Sequence, residues 1–275
     1  MHLVVFGHSH VWSVRRALAD HWAHSGVTAE VPVCGTKELP GPVMARSTGP
    51  GGVEKPTLNP VIVALLNRVL ASPGLADTWM ISMVQGNFYN QIGMVAQDRA
   101  FDFVLDTHPD LPLTPGATLL PCDAVRLILT RQMAEFQSYA PILAKTALRD
   151  RMILVGPPPP PRSPDQIAAL LAAGPKAGSK AGAQAEADAA PETVVITPAI
   201  TRLKLWHMQN QIAQGYCVAA GLRYLRGDLP GTQDADGFIL PAFTKDAVHA
   251  NHIYSDQLLH CAADIATGQK GLSHG

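Results

Sequence analysis

The sequence predicts an α/β protein, a three-layer α/β/α sandwich around a mostly parallel sheet of about five strands. Short apolar runs alternate along the chain with segments of helical periodicity, which is typical of a parallel sheet covered by helices on both faces. The length of 275 residues, of which 47% are apolar, allows one sizeable core. We expect a single domain over residues 1–275, with a disordered insertion at 174–191, where Ala, Gly and Lys replace large apolar residues.

The strands are predicted from short apolar runs bounded by turn-forming residues. The first run lies at the N-terminus and leads directly into the sequence Gly-His-Ser-His. The fourth ends at Gly156 and five consecutive prolines, which cannot continue a central strand. Ligands of such a sheet bind at the carboxyl ends of its strands. In chain order, the predicted strands are residues 2–6, 28–34, 79–84, 151–155 and 222–225.

The helices are predicted from apolar residues that recur at helical spacing, beginning with residues 11–23. Asn59 is a suitable N-cap, and Pro60 a suitable first residue, for a helix that runs to about residue 70. Asp123 is the expected cap of one long helix over 123–148, and Pro164 fits the first turn of a helix over 163–173. The last two predicted helices are residues 199–220 and 245–266.

Two long loops are predicted between these elements. Residues 35–56 are rich in Gly and Pro, and a polar segment over 87–121 follows the third strand. Loops of this length are uncommon in compact domains and are often functional. We therefore expect these two loops to determine which substrate the protein accepts.

The overall composition excludes several classes of partner. The formal net charge of −1 predicts no general attraction to nucleic acid. The sequence contains no run of about 18 apolar residues, so no membrane-spanning helix is expected. The apolar N-terminus fits a core strand rather than a secretion signal, because it lacks a basic segment and a cleavage-site pattern. The four widely spaced cysteines form no CxxC pair and fit a reducing compartment, so we expect a cytoplasmic protein.

Ser9 follows the first strand and a small residue, Gly7, that lets the chain turn sharply into a helix. A serine at a helix N-terminus lies near backbone N–H groups that favour developing negative charge. Ser9 therefore either caps this helix or acts as a nucleophile. In the second case it needs a base, because a serine hydroxyl alone is a poor nucleophile.

Asp246 and His249 lie three residues apart near the C-terminus. A carboxylate at this spacing can orient an imidazole and stabilise its protonated form, which is what an activated serine needs. The alternative is an ordinary cap in a surface loop. The pair alone does not decide between these interpretations.

Asn87 comes directly after Gly86, just past the third predicted strand. An asparagine side-chain amide can donate to an oxyanion, and loss of such a donor costs roughly 100- to 1000-fold in rate. Taken alone, Gly-Asn is equally a good turn sequence. The order of the three motifs along the chain favours the catalytic interpretation.

In this order and spacing, the motifs resemble the SGNH (GDSL-like) hydrolase family. The resemblance implies a flavodoxin-like fold without a cofactor. It also implies a Ser9–His249–Asp246 triad and an oxyanion hole formed by Asn87, the Ser9 N–H and a loop glycine. The matching blocks are Phe6-Gly7-His8-Ser9, Gln85-Gly86-Asn87, Ile153-Leu-Val-Gly-Pro-Pro and Asp246-Ala-Val-His249-Ala-Asn251, followed by Tyr254.

Two features depart from the family pattern or leave it ambiguous. His8 stands where the family carries Asp, which affects local hydrogen bonding and substrate class. The loop glycine is either Gly35, at the end of the second strand, or Gly51 beside Gly52, nearer the next helix. We favour Gly51, and Pro50 is excluded because it lacks an N–H.

Further residues are expected around the substrate. The histidines are expected to hydrogen-bond around the triad, whereas the two aromatic residues either shape the acyl pocket or pack their loop. The substrate is expected to be a small-molecule or glycan ester, and transfer of its acyl group to an acceptor hydroxyl is an alternative to hydrolysis. These surrounding residues are His8, His10, Phe88, Tyr89 and His252.

Two other classes of function stay open. His8, His10, His249 and His252 could together bind a metal, because neutral imidazoles are good zinc ligands. Gly-His-Ser-His also resembles a block of calcineurin-like metallophosphoesterases, but there it comes last rather than first. Alternatively, the chain is a binding module that holds a carbohydrate or peptide on a hydrolase scaffold, because a fold does not fix a function.

Overall fold

The structure is a computed structural model that describes residues 1–20, 22–24, 26–35, 37–47, 54–96, 99–172 and 195–268. The predicted loop glycine Gly51 and its neighbours Pro50 and Gly52 lie outside the described residues. The insertion predicted at 174–191 also lies outside them.

The strands of the described residues form one central sheet and two small pairs. They are β1 (His2–Gly7), β2 (Thr28–Cys34), β3 (Val43–Ser47), β4 (Glu54–Leu58), β5 (Thr78–Met83), β6 (Phe101–Asp102), β7 (Thr118–Leu119), β8 (Met152–Val155) and β9 (Arg223–Leu225). The central sheet has five parallel strands in the order β2-β1-β5-β8-β9. Counted within this sheet, that order is 2-1-3-4-5, the flavodoxin-like arrangement.

Helices cover both faces of this sheet. Val4 and Met80 point to one face and pack with the helices α2 (Pro60–Leu70), α5 (Ala134–Leu143) and α7 (Ala199–Ala219). Val5 and Ile81 point to the other face and pack with α1 (Val11–Asp20) and α8 (His252–Thr267). This alternation follows from the two-residue period of a strand. It confirms the predicted α/β/α fold class with a five-stranded parallel sheet. The helices are α1 (Val11–Asp20), α2 (Pro60–Leu70), α3 (Phe88–Gly93), α4 (Cys122–Gln132), α5 (Ala134–Leu143), α6 (Pro164–Ala172), α7 (Ala199–Ala219) and α8 (His252–Thr267).

The register of the sheet sets the position of the site. Gly7, the last residue of β1, lies opposite Cys34 of β2 and Met83 of β5. The carboxyl ends of three neighbouring strands are therefore level, and the segments that leave them meet at one edge.

None of the described helices is both long and apolar enough to cross a membrane.

The prediction of one helix over 123–148 is wrong, because the chain forms α4 and α5 instead. The break is at Met133, whose φ of −89° and ψ of 13° leave the helical region and whose side chain is fully buried. The turn therefore falls within an otherwise continuous apolar pattern, at a side chain that faces the core. Asp123 lies in the first turn of α4, and Pro121 takes the N-cap position.

The predicted loops and the last helix also need correction. The segment 35–56 contributes to the antiparallel pair of β3 and β4, and the segment 87–121 contains α3 and the short pair β6 and β7. Residues 245–251 are not helical, because Asn251 is the N-cap of α8 and accepts hydrogen bonds from the N–H groups of Ile253 and Tyr254. By contrast, Asn59 caps α2 as predicted, with Pro60 as its first residue.

A buried ion pair ties β6 to α7. Lys204 Nζ lies 3.0 and 3.1 Å from the two carboxylate oxygens of Asp102, and both side chains are almost completely buried. Asp102 also accepts hydrogen bonds from the N–H groups of Phe103 and Thr114. The lysine is therefore the cation that balances the charge of this buried carboxylate, whereas the two N–H groups donate hydrogen bonds without neutralising it.

Replacing Lys204 with methionine is expected to lower the free energy of unfolding by about 3–5 kcal/mol, because the change leaves a buried carboxylate without its cation. Urea denaturation of the wild-type protein and the variant measures this difference in the free energy of unfolding. Arg149→Met is the matched control, since Arg149 pairs with Asp150 on the surface at 3.3 Å, and a loss below about 1 kcal/mol is expected there. Equal losses in the two variants would contradict the prediction.

Candidate active site

Ser9 lies in the turn between β1 and α1. A side chain on Gly7 would collide with the backbone carbonyl of Met83, so only glycine lets the ends of β1 and β5 approach this closely. The N–H of Val11 donates to the carbonyl of His8, and the N–H of Trp12 donates to that of Ser9. These bonds fix the turn that presents Ser9 at the edge of the sheet.

The side chains of Ser9, His249 and Asp246 form one continuous hydrogen-bonded line. Ser9 Oγ lies 2.8 Å from His249 Nε2, and His249 Nδ1 lies 2.9 and 3.0 Å from the two carboxylate oxygens of Asp246. Because the carboxylate accepts the Nδ1–H, Nε2 is left as the acceptor for the serine hydroxyl. This is the arrangement that a serine nucleophile with a general base requires.

The turn over 245–251 holds the carboxylate and the imidazole in place. One carboxylate oxygen of Asp246 accepts the N–H groups of Val248 at 3.0 Å and His249 at 2.8 Å. Burial raises the pKa of Asp246, but the hydrogen bonds from the His249 side chain and from these backbone groups outweigh it and lower the pKa to about 2. Asp246 therefore stays ionised beside the imidazole.

Asn87 follows β5 and lies between the turn that carries His10 and the segment that carries Val248. Its Nδ2 donates to the carbonyl of Val248 at 2.6 Å, and its Oδ1 lies 3.2 Å from His10 Nε2. The side-chain amide is thus held from two sides at the sheet edge that carries Ser9. Nδ2 carries a second hydrogen that the Val248 carbonyl does not use, and the predicted role of Asn87 as an oxyanion donor stays a prediction.

A residue that the sequence analysis missed fixes the backbone around Asn87. Gln209, in the middle of α7, donates to the carbonyl of Gly86 at 2.7 Å and accepts the N–H of Tyr89 at 2.8 Å. Both bonds are made by one buried side chain that is distant in sequence. A glutamine within a helix carries no motif, so sequence reasoning had no signal for this contact.

The residues predicted around the substrate fall into different environments. Tyr89 is only 1% exposed and packs in an apolar cluster, so it packs its loop rather than forming the wall of an open pocket. Phe88 is partly buried against the main core. His252 is the first residue of α8 and is partly exposed.

His8 and His10 lie on either side of Ser9, and His8 is partly buried whereas His10 is almost completely buried. Burial lowers the pKa of His8, and a hydrogen bond with the Leu39 backbone partly offsets this. His10 is 8% exposed, and burial together with the nearby His249 lowers its pKa to about 3. Its ring contacts Asn87, which fits the expectation that the histidines hydrogen-bond around the triad, and a contact of His10 with substrate stays a prediction.

The two candidates for the loop glycine are placed differently. The N–H of Gly35 donates to the carbonyl of Gly7 at 3.1 Å, so it is engaged within the sheet edge. Gly51, which the sequence analysis favours, lies outside the described residues. The position of a third oxyanion donor therefore stays a prediction.

The predicted alternative of a histidine metal site finds no matching arrangement. In the part of the chain that the structure describes, no group of three or more His, Cys, Asp or Glu side chains is placed to hold a metal ion. The rings of His10 and His249 lie 4.9 Å apart at 55°, but the ring nitrogens of His249 face Ser9 and Asp246. These histidines are arranged for hydrogen bonding.

No protein-family model matches the chain, and no curated protein matches it. Its structure is similar to that of a GDSL-like lipase from Bacteroides thetaiotaomicron, with a TM-score of 0.43 and 12% identity over 98% of this chain and 89% of that chain. It is also similar to a carbohydrate acetylesterase from Sinorhizobium meliloti, with a TM-score of 0.43 and 11% identity over 98% and 99% of the two chains. For an aryl esterase from M. smegmatis the TM-score is 0.40, with 12% identity over 97% and 98%. None of these likenesses defines the activity of this chain.

Proposed function

We propose that this chain is a serine hydrolase that cleaves an ester-linked acyl group from a small molecule or a glycan. The observation that carries the proposal is the hydrogen-bonded line from Ser9 through His249 to Asp246. The side chains of His249 and Asp246 are 25% and 37% exposed, so the line reaches solvent and a substrate can approach it. The same geometry serves acyl transfer when an acceptor hydroxyl replaces water.

In the first half of the reaction, His249 Nε2 takes the hydroxyl proton as Ser9 Oγ attacks the ester carbonyl. Asp246 keeps the other proton of the imidazole on Nδ1 and stabilises the imidazolium that forms. The tetrahedral intermediate carries an oxyanion, to which Asn87 Nδ2 and the Ser9 N–H donate. The leaving alcohol takes the proton from His249 Nε2, and the acyl group stays on Ser9.

In the second half, the same base works on a different nucleophile. His249 Nε2 removes a proton from water, whose oxygen attacks the acyl carbonyl of the acyl-enzyme. Collapse of the second tetrahedral intermediate returns the proton to Ser9 Oγ and releases the carboxylic acid. The two steps need no group beyond the three side chains and the oxyanion donors.

A fluorophosphonate probe tests the proposal directly, because it reacts covalently only with an activated serine. We expect stoichiometric labelling, with mass spectrometry locating the adduct on Ser9, and no labelling of Ser9→Ala. Ser138→Ala is the control, since Ser138 donates to the Ala134 carbonyl within α5 and lies outside the site. Failure of the folded wild-type protein to react would overturn the proposal and favour a binding module on the same scaffold.

A further inference from the structure

We propose that His10 is a positioning residue that holds the Asn87 amide in the orientation needed to donate to the oxyanion. The inference rests on the proposed function, since it assigns a role within the same site. Its basis is the 3.2 Å contact between His10 Nε2 and Asn87 Oδ1, made by a ring that is almost completely buried.

The hydrogen bonds decide how the amide of Asn87 is oriented. The atom that lies 2.6 Å from the Val248 carbonyl must be the nitrogen, because two acceptor oxygens would repel each other at that distance. The amide oxygen therefore faces His10. An oxygen can only accept, so His10 must present an N–H at Nε2 and leave Nδ1 unprotonated.

This arrangement leaves one amide hydrogen for catalysis. Nδ2 of Asn87 carries two hydrogens, and the Val248 carbonyl takes one of them. With Oδ1 held by His10, the amide cannot rotate without breaking bonds on both sides. The second hydrogen is thus fixed in direction before substrate arrives, and such preorganisation gives oxyanion donors their value.

The environment of His10 keeps the ring neutral and in place. Burial, followed by the proximity of His249, lowers the pKa of His10 to about 3, so the ring adds no positive charge beside the imidazolium that forms on His249. The carbonyl of His10 accepts the Ser13 hydroxyl at 2.7 Å, and Ser13 in turn accepts the Ser255 hydroxyl at 2.8 Å. These two bonds tie the start of α1 to α8.

A small cavity of about 10 Å³ adjoins His10 and is large enough for one water molecule. Ser13, Gln85 and Ser255 also line it, and Gln85 Nε2 is buried there without a hydrogen-bond partner in the described residues. Leucine is similar in size to histidine, so His10→Leu is expected to fill the same space without overpacking it. His10→Leu removes the N–H donor, and His10→Gln keeps a donor on a flexible side chain.

The test is a double-mutant cycle on a chromogenic acetate ester, with His10→Leu and His10→Gln made in the wild-type chain and in Asn87→Ala. We expect His10→Leu to lower kcat about 10-fold with little change in KM, and His10→Gln to recover most of the loss. Asn87→Ala alone is expected to cost roughly 100- to 1000-fold. In that background, His10→Leu should cost less than about 2-fold, because the group it orients is gone.

Equal losses from His10→Leu in both backgrounds would overturn the inference and indicate a merely structural role. A second measurement covers the case in which His10→Leu does not fold: nitrogen-15 NMR of the wild-type imidazoles. Protonation of His10 at Nε2 supports the inference, and protonation at Nδ1 overturns it. The two failures are distinguishable: normal turnover by folded Ser9→Ala would refute the proposed function, whereas equal losses from His10→Leu in both backgrounds, with Ser9→Ala inactive, would refute the inference alone.

Discussion

Replacing Ser9 or His249 with alanine is expected to lower kcat on a chromogenic ester by roughly 10⁴- to 10⁶-fold, and the double variant is expected to lose no more than either single variant. The reason is the 2.8 Å contact between Ser9 Oγ and His249 Nε2. The base acts only through the nucleophile, and the nucleophile is inert without the base. Steady-state kinetics of the three variants measure the losses.

The controls use the same residue types away from the site. Ser138→Ala and His260→Ala remove a serine of α5 and a histidine of α8 whose side chain is 36% exposed. Both should retain wild-type kcat, and thermal unfolding should show all variants folded. Losses from Ser9→Ala and His249→Ala that multiply in the double variant would contradict the prediction, because they would indicate independent roles.

The proximity of Ser9, Asn87 and His249 could be predicted from the sequence, because the topology of a parallel sheet can be predicted. Ser9 follows β1 and Asn87 follows β5, and these strands are direct neighbours with their carboxyl ends level. His249 precedes α8, which packs against α1, so a residue 240 positions from Ser9 comes within 2.8 Å of it. Motifs at the ends of alternating strands and helices can therefore be predicted to lie close together without knowing how individual side chains pack.

The features that sequence reasoning missed depend on contacts between distant segments. The apolar pattern runs unbroken through Met133, whereas the backbone leaves the helical region at this residue, whose side chain is buried in the core. The pairing of β3 with β4 likewise lies in a stretch whose Gly and Pro content predicts a loop. The hydrophobic periodicity of a sequence indicates which residues can be buried, but it does not indicate which other segment they pack against.

The contact of Gln209 with the Asn87 segment was missed for the same reason, whereas His10 was expected among the histidines that hydrogen-bond around the triad, but without its partner. Gln209 reaches Tyr89 from 120 residues away, and His10 reaches Asn87 from 77 residues away. Neither residue type signals such a role by itself. The sequence indicates which groups can take part in chemistry, whereas their orientation is set by partners from elsewhere in the fold.

Asp246→Asn is expected to lower kcat about 10⁴-fold while leaving the fold intact. The oxygen of Asp246 that accepts the N–H groups of Val248 and His249 must remain an acceptor, so the new amide nitrogen takes the other position, 3.0 Å from His249 Nδ1. That nitrogen competes for Nδ1 with the retained oxygen, which lies 2.9 Å away. Where the nitrogen donates, Nδ1 becomes an acceptor and the imidazole proton moves to Nε2. An Nε2–H facing Ser9 cannot accept the hydroxyl proton.

Because the Asp246→Asn variant is expected to stay folded, its loss of kcat reports the tautomer of His249 rather than a loss of structure. The pKa of Asp246 is about 2, so the wild-type carboxylate is ionised at any ordinary assay pH, and the variant removes that charge without removing its backbone bonds. Asp256→Asn is the matched control, because Asp256 lies 3.6 Å from His260 in a surface pair with the same chemistry. It should keep wild-type kcat. A folded Asp246→Asn protein within 10-fold of wild type would show that His249 keeps its working tautomer without the carboxylate, and the proposed role of Asp246 would fail.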